Sequence, residues 1–206
     1  MVARPADADE ATLLTERGQR TRERLVAAAR SVFERDGFHE ARVTDISREA
    51  GVAHGTFYTY FDTKLDVFRE VILRMQADSM RARDQAPAAS SPRDRIARAN
   101  RAYLDGYRRD ARMIAILEQL AATNEEFRQL RRQARVANTM RSARAIQRWQ
   151  EEGLVDPLLD ARYVASALGS MVDRCFYVWL VLGEPFDEEK GLETLNELCA
   201  RALGFA

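Results

Sequence analysis

Apolar residues recur at three- and four-residue spacing through nearly every segment of this 206-residue chain, and no segment alternates with the two-residue period of a half-buried strand. That pattern constrains the fold most: the chain is expected to be all-α. It predicts about nine helices, over 20–36, 43–50, 54–61, 64–83, 93–109, 111–122, 125–152, 160–182 and 187–203. Gly37 stands where a helix C-cap needs a residue free to turn left-handed. Asp62 is the expected N-cap of the helix from Lys64. Breaks are expected at Asp110, Asn124, Gly153 to Pro157 and Gly183-Glu-Pro185. Residues 1–16, polar and without period, read as a flexible arm, and Gln85 to Pro92, rich in Pro, Ala and Ser, as a linker.

Several function classes are disfavoured. The most apolar stretch, Tyr163 to Gly183, is cut by Asp173-Arg174, so no bilayer-spanning helix and no membrane partner are expected. The first 17 residues hold no apolar core of a signal peptide, which points to the cytoplasm. Cys175 and Cys199 are too few for a disulfide framework and have no zinc spacing; both are expected to be buried core thiols. The only histidines, His39 and His54, lie early in the chain, and no convergent titratable set follows residue 93. A non-enzyme without metal or cofactor is therefore expected; the rival, a helical enzyme, would need such a set.

Formal net charge is zero, which at first argues against a nucleic-acid binder. The distribution is more informative. Residues 1–16 carry −3, 17–64 carry +2 (9 basic, 7 acidic), and 65–127 carry +1. Residues 128–148 carry +7 with no acid, and 149–206 carry −7. Arg128, Arg131, Arg132 and Arg135 share a helical face, with Arg141, Arg144 and Arg148 almost opposite. The apolar stripe slips at the same place, so a kink near Asn138 is expected. The plain reading of the seven arginines is a solvated surface balanced by the acidic C-terminal segment; the sharper one turns an arginine inward to anchor an acidic ligand group. All but Lys64 and Lys190 of the basic residues are arginine.

Residues 43–61 have the size and punctuation of a helix-turn-helix. Val43, Ile46 and Ala50 line one face of a first short helix, Gly51 sits at the turn, and Val52 plugs the angle. Phe57 and Phe61 give the second helix an apolar side, leaving His54, Thr56, Tyr58 and Tyr60 outward. A major groove admits such a helix, whose first residues meet base edges.

The whole run from Thr21 to Phe68 resembles the N-terminal domain of the TetR family of transcriptional regulators. Ala50-Gly-Val-Ala-His-Gly-Thr-Phe-Tyr-Thr-Tyr-Phe-Asp-Thr-Lys64 follows the pattern AGVS-x-GT-x-Y-x-YF-x-x-K at all but one fixed position, and Ala28-Ala-Arg-Ser-Val-Phe33 with Asp36-Gly-Phe38 also fits. Two positions depart: Ala53 replaces a capping Ser or Thr, and Arg42 replaces a Thr that opens the motif's first helix, with Thr44 close enough to substitute. The resemblance implies DNA contacts from Arg20, Thr44, Gly55, Thr56, Tyr58, Tyr60 and Lys64, with His54 at the variable, base-reading position. Arg17, Arg22 and Arg24 crowd the same helix start as Arg20, and would add phosphate contacts or a minor-groove arm. The implied organisation is an arm over 1–16, a DNA-binding domain over 17–63 and a ligand-binding and dimerisation domain over 64–206.

Beyond the linker, Val164 to Leu182 is apolar on two faces, one through Val164, Leu168, Met171, Cys175, Val178 and Leu182, the other through Val172, Phe176 and Leu180. A helix of that kind buries both faces, one within its own subunit and one against a second copy. The resemblance implies the same, a homodimer through the last two helices, here Val164, Leu168, Val172, Cys175 and Trp179 with Leu195, Leu198 and Ala202. A symmetric dimer reads a roughly palindromic double-stranded operator. A small-molecule effector, hydrophobic or acyl-like, would draw on Met75, Tyr103, Tyr107, Met113, Leu117, Met140, Trp149, Met171 and Phe176, with Met80, Phe127 and Trp179 as further candidates. The resulting reading is a ligand-released repressor; the alternative is a regulator without effector.

Overall fold

The computed structural model describes residues 15–84 and 89–205; most of the expected arm and the first half of the expected linker lie outside the described residues. Among the described residues there is no strand. There are eight α-helices: α1 Glu16–Glu40, α2 Val43–Glu49, α3 His54–Phe57, α4 Lys64–Asp84, α5 Pro92–Thr123, α6 Glu125–Glu151, α7 Ala161–Phe176 and α8 Glu188–Ala202. A π-helical stretch, Tyr177–Val181, extends α7 directly. The chain divides within α4 into two compact units, one ending at Val71 and one beginning at Ile72.

The first unit closes around one apolar stripe of α1. Leu25, Val26, Ala29, Val32 and Phe33 are buried, met by Ile46 of α2, Phe57 of α3 and Val67 and Phe68 of α4. Phe33 and Phe38 both stand edge-on to Phe68, with ring centroids 5.3 and 5.4 Å away, a favoured aromatic geometry. At Gly37 φ is 76°, and there the regular helix gives way as expected. The start of α4 corrects one expectation. Its cap is Thr63: the Thr63 hydroxyl accepts from the Asp66 N–H at 3.2 Å, and the Asp66 carboxylate accepts from the Thr63 N–H at 2.8 Å. Only position 63 can form this reciprocal capping box with Asp66, and Asp62 lies one residue too early.

The second unit departs from expectation in three places. Asp110 does not break a helix, because α5 runs unbroken from Pro92 to Thr123. Asp110 falls on the buried stripe Leu104, Tyr107, Met113, Ile116 and Leu120, is itself only 4% exposed, and pairs with Arg109 at 2.8 Å. A single acid in an apolar stripe looked like punctuation; its charge is met locally and the helix continues. No kink forms near Asn138 either. The apolar stripe of α6 slips because its second half turns Ala143 and Ile146 into a cluster with Val155, Ala161, Ala165 and Leu203.

The third concerns the most apolar helix. By length and composition Ala161–Val181 is apolar enough to cross a bilayer, with mean hydropathy 1.3, and only 17% of its window is buried. Asp173 does not disqualify it on those measures. The Asp173 carboxylate instead accepts hydrogen bonds from the Tyr103 and Tyr107 hydroxyls of α5, at 2.6 and 2.8 Å. Around it Leu104, Tyr107, Val172, Phe176, Leu192, Leu195 and Cys199 make the unit's main core. One face of this helix is thus packed, and an apolar face is left uncovered.

Candidate nucleic-acid interface

The turn between α2 and α3 is built by backbone geometry. The Val52 N–H reaches the Ser47 carbonyl at 3.0 Å and the Gly51 N–H reaches Arg48 at 3.0 Å, the paired bonds of a Schellman turn. That turn requires the left-handed φ of 64° seen at Gly51, and a Cβ there would stand 2.9 Å from the Arg24 guanidinium. Arg24 donates to the carbonyls of Ala50 and Gly51. It therefore fastens α1 to the turn.

Past the turn, Ala53 opens α3 with no side-chain cap. The helix is shorter than the eight residues its pattern suggests: four residues, then a tight turn in which Phe61 N–H still bonds the Phe57 carbonyl at 3.0 Å. Phe57 and Phe61 are buried. His54, Gly55 and Tyr58 are exposed, Thr56 and Tyr60 partly so, and Thr44 and Arg42 at the start of α2 are exposed. The His54 ring stands edge-on to Tyr58 at 5.4 Å. A side chain at Gly55 would meet nothing within 4 Å, so a flat surface could approach there. Six of the expected DNA-facing residues, Thr44, His54, Gly55, Thr56, Tyr58 and Tyr60, are thus at least partly exposed on or beside α2 and α3.

The basic residues divide differently. Lys64 is half-buried, with Nζ donating to the carbonyls of Phe38, His39 and Ala41 at 2.6, 3.1 and 2.7 Å and lying 4.6 Å from the centroid of the Phe38 ring. All three ammonium donors are engaged at the end of α1, and desolvation holds the Lys64 amine below its ordinary value. Arg22 is held bidentately by Glu70 at 2.7 and 3.0 Å and lies over Phe61. Arg17 and Arg20 remain exposed; Arg20 makes only a 3.5 Å contact with Glu16. The sequence showed where positive charge lies but not its partners, since carbonyl acceptors leave no side-chain signature.

In the second unit Tyr103, Tyr107, Met171, Phe176 and Trp179 come together in the main core. Trp149 belongs instead to the second cluster, its ring 5.4 Å from Phe205. Met75, Met113 and Phe127 are buried, Leu117 is half-buried, and Met80 and Met140 are exposed. Asp173 escaped notice as a site residue, although a lone acid in an apolar helix signals a buried polar partner. Burial, followed by the neighbouring Tyr103 and Asp173, pushes the Tyr107 hydroxyl well above its ordinary value. Both cysteine thiols are pushed up by burial, as core thiols are. Of the residues expected between subunits, Val172 and Leu195 lie inside the subunit's own core. Val164, Leu168, Cys175 and Trp179 are half-buried, and Leu198 and Ala202 are exposed.

Comparison with known proteins agrees with this organisation. The domain described as "Bacterial regulatory proteins, tetR family" matches residues 25–71. The HTH-type transcriptional repressor BepR of Brucella suis is 41% identical over 54 residues, 26% of this chain and 26% of its own length. The matching stretch thus spans about a quarter of that relative. The uncharacterized HTH-type transcriptional regulator YfiR of Bacillus subtilis is 28% identical over 174 residues, 81% of each chain. The transcriptional regulator FadR from Bacillus subtilis, solved in complex with stearoyl-CoA, superposes with a TM-score of 0.71 at 21% identity, over 89% of this chain and 98% of that one. At that identity the likeness is one of fold.

Proposed function

We propose that this chain, whose residues 25–71 match the tetR family of bacterial regulatory proteins, is a cytoplasmic DNA-binding transcriptional regulator of that family, a repressor that a small molecule releases from its operator. The observation that carries this is the set Thr44, His54 and Tyr58, exposed, with Thr56 and Tyr60 partly so, held on α2, α3 and the turn after α3 and joined by a turn that Gly51 and Arg24 fix. Hydroxyls there donate to phosphates, and His54 reads base edges. Arg17 and Arg20 supply the charge.

A second copy of the chain covers the apolar face of α7 left open here, along Val164, Leu168 and Cys175 and the exposed Leu198 and Ala202 of α8. A two-fold dimer then carries two reading helices about 34 Å apart, one turn of DNA. The effector enters the second unit among its methionine and aromatic side chains; the stearoyl-CoA bound by the structural relative illustrates an acyl-like ligand in this fold. Since α4 begins in the first unit and ends in the second, a ligand-dependent shift along it changes the register of the two reading helices. A coupling of about 1–3 kcal/mol changes DNA affinity roughly 5–150-fold.

Footprinting on the DNA flanking the protein's own gene, with the mass in solution from sedimentation, tests this. A protected, roughly palindromic site bound by a dimer is expected, with affinity falling steeply in salt. A monomer, or protection without sequence preference, overturns it.

A further inference from the structure

The acidic C-terminal segment does not balance the basic middle of the chain. Its carboxylates pair with α5: Glu197 with Arg93 at 3.0 Å, Glu189 with Arg101 at 3.0 Å, and Glu188 with Arg108. The seven arginines of residues 128–148 are left with two acids. Arg128 is held by Glu125 and by the last carbonyls of α5, and Arg131 by Glu118. Arg132, Arg135, Arg141, Arg144 and Arg148 have no carboxylate partner among the described residues. Arg135 donates only to a neutral acceptor, the Ser170 hydroxyl of α7, at 2.9 Å. Arg141 goes further: its Nη1 is buried and has no hydrogen-bond partner, which is unusual for a charged donor.

Four of these guanidinium groups are collected rather than spread. Arg128, Arg131, Arg132 and Arg135 line a cleft of about 380 Å³ between α6 and the end of α5, with Glu118 its one acid. That volume lies at the low end of small-ligand sites. A guanidinium fork matches the oxygens of a phosphate or carboxylate two at a time. Two unneutralised forks one helical turn apart therefore match a ligand with two linked anionic groups. A recess of this size also favours a small anion over the broad convex surface of a duplex. Glu118 reports the same environment from the opposite side: burial pushes its carboxyl above the ordinary value, with Arg131 only partly opposing.

The geometry points to a site in the second unit for a small polyphosphate anion, held by Arg132 and Arg135 in a cleft that Arg128 and Arg131 shape and Glu118 restrains. Binding here goes beyond operator recognition and is read without DNA. The shared chemistry is the diphosphate; its source is either inorganic or a nucleotide.

Calorimetric titration of the full chain with sodium pyrophosphate, and separately with ADP, tests it at low salt. Saturable binding at one site per chain is expected. Equal affinities mean that the diphosphate alone is recognised, whereas tighter ADP binding means that the base is held as well. Arg132→Ala and Arg135→Ala are each expected to weaken binding about tenfold, the equivalent of one lost charge-assisted hydrogen bond. Glu118→Gln is expected to tighten it severalfold, which a merely structural Glu118 would not do. Arg81→Ala removes an exposed charge elsewhere and is expected to change nothing. No saturable binding overturns the site, as does an Arg81→Ala loss equal to that of Arg132→Ala. If duplex DNA of unrelated sequence displaces pyrophosphate and loses affinity equally in the arginine variants, the cleft is a DNA-backbone surface and the proposal fails. Failure of the footprint would leave these titrations intact, so the two readings fall separately.

Discussion

The two units treat positive charge in opposite ways. In the first, residues 17–64 carry a net +2, and Arg22, Arg24 and Lys64 are tied to a carboxylate and five carbonyl oxygens. In the second, α6 carries guanidinium groups with no acid to meet them. Net charge per segment therefore misplaces both. Cations near helix ends are drawn to the carbonyls that every helix leaves unsatisfied, and Arg24 and Lys64 reach the C-terminal ends of α2 and α1 in that way. A 27-residue helix has long sides and few ends, and its cations stay available.

The strongest way to break this comparison is at the turn. Gly51→Val forces a β-branched residue to φ 64° and drives its Cβ into the Arg24 guanidinium. The strained backbone costs roughly 1–3 kcal/mol and the lost charged hydrogen bonds about as much again. Both tryptophans, Trp149 and Trp179, lie in the second unit. Hydrogen exchange over α1 to α3 is expected to lose protection while tryptophan fluorescence keeps its urea midpoint. An equal fall in both signals would mean that the units do not unfold separately.

Lys64→Met comes next. It keeps an apolar stem over Phe38 but leaves three carbonyls without their donor, a loss of about 2–3 kcal/mol for the first unit. A phosphate-binding lysine on a surface would cost almost nothing when removed. Finding unchanged protection with reduced DNA affinity would return Lys64 to the DNA-facing set. Tyr58→Phe makes the complementary test. Tyr58 is 51% exposed, so stability is expected to stay within about 0.5 kcal/mol while operator affinity falls by up to about tenfold, the value of one hydrogen bond.

The split also explains what the sequence made legible. The all-helical class and the turns at Gly37 and Gly51 followed from spacing and residue type, because periodicity and left-handed turns are written in residue type. At Asp110, Asp173, Lys64 and the α6 arginines, residue type suggests one role, whereas the partners each side chain meets in the structure suggest another. Asp110 looked like a breaker, but Arg109 pairs with it within the helix. Asp173 looked like an interruption of an apolar run, but two tyrosines from residues 66 and 70 positions away converge on it. Partners that distant leave no local pattern.

Acid titration sharpens the contrast with the smallest effect. In the first unit, the Glu49 carboxyl is held below its ordinary value by the Ser31 hydroxyl and then by Arg35. Its folded form therefore binds fewer protons than the unfolded chain as pH falls past about 4. The stability it confers is present above that point and is lost as pH drops through its lowered value. Glu118 in the second unit runs the other way. Burial raises its carboxyl, so the folded state binds the extra proton first, and its unfavourable contribution fades as pH falls through the raised value. Urea midpoints across pH 7 to 4 are expected to show Glu49→Gln destabilising the first unit at neutral pH and converging on the parent in acid. Glu118→Gln is expected to leave the second unit as stable or more stable at neutral pH, again converging in acid. Shifts of the same sign in both variants would mean that Arg131 dominates the surroundings of Glu118, and the second unit would then neutralise its cations much as the first does.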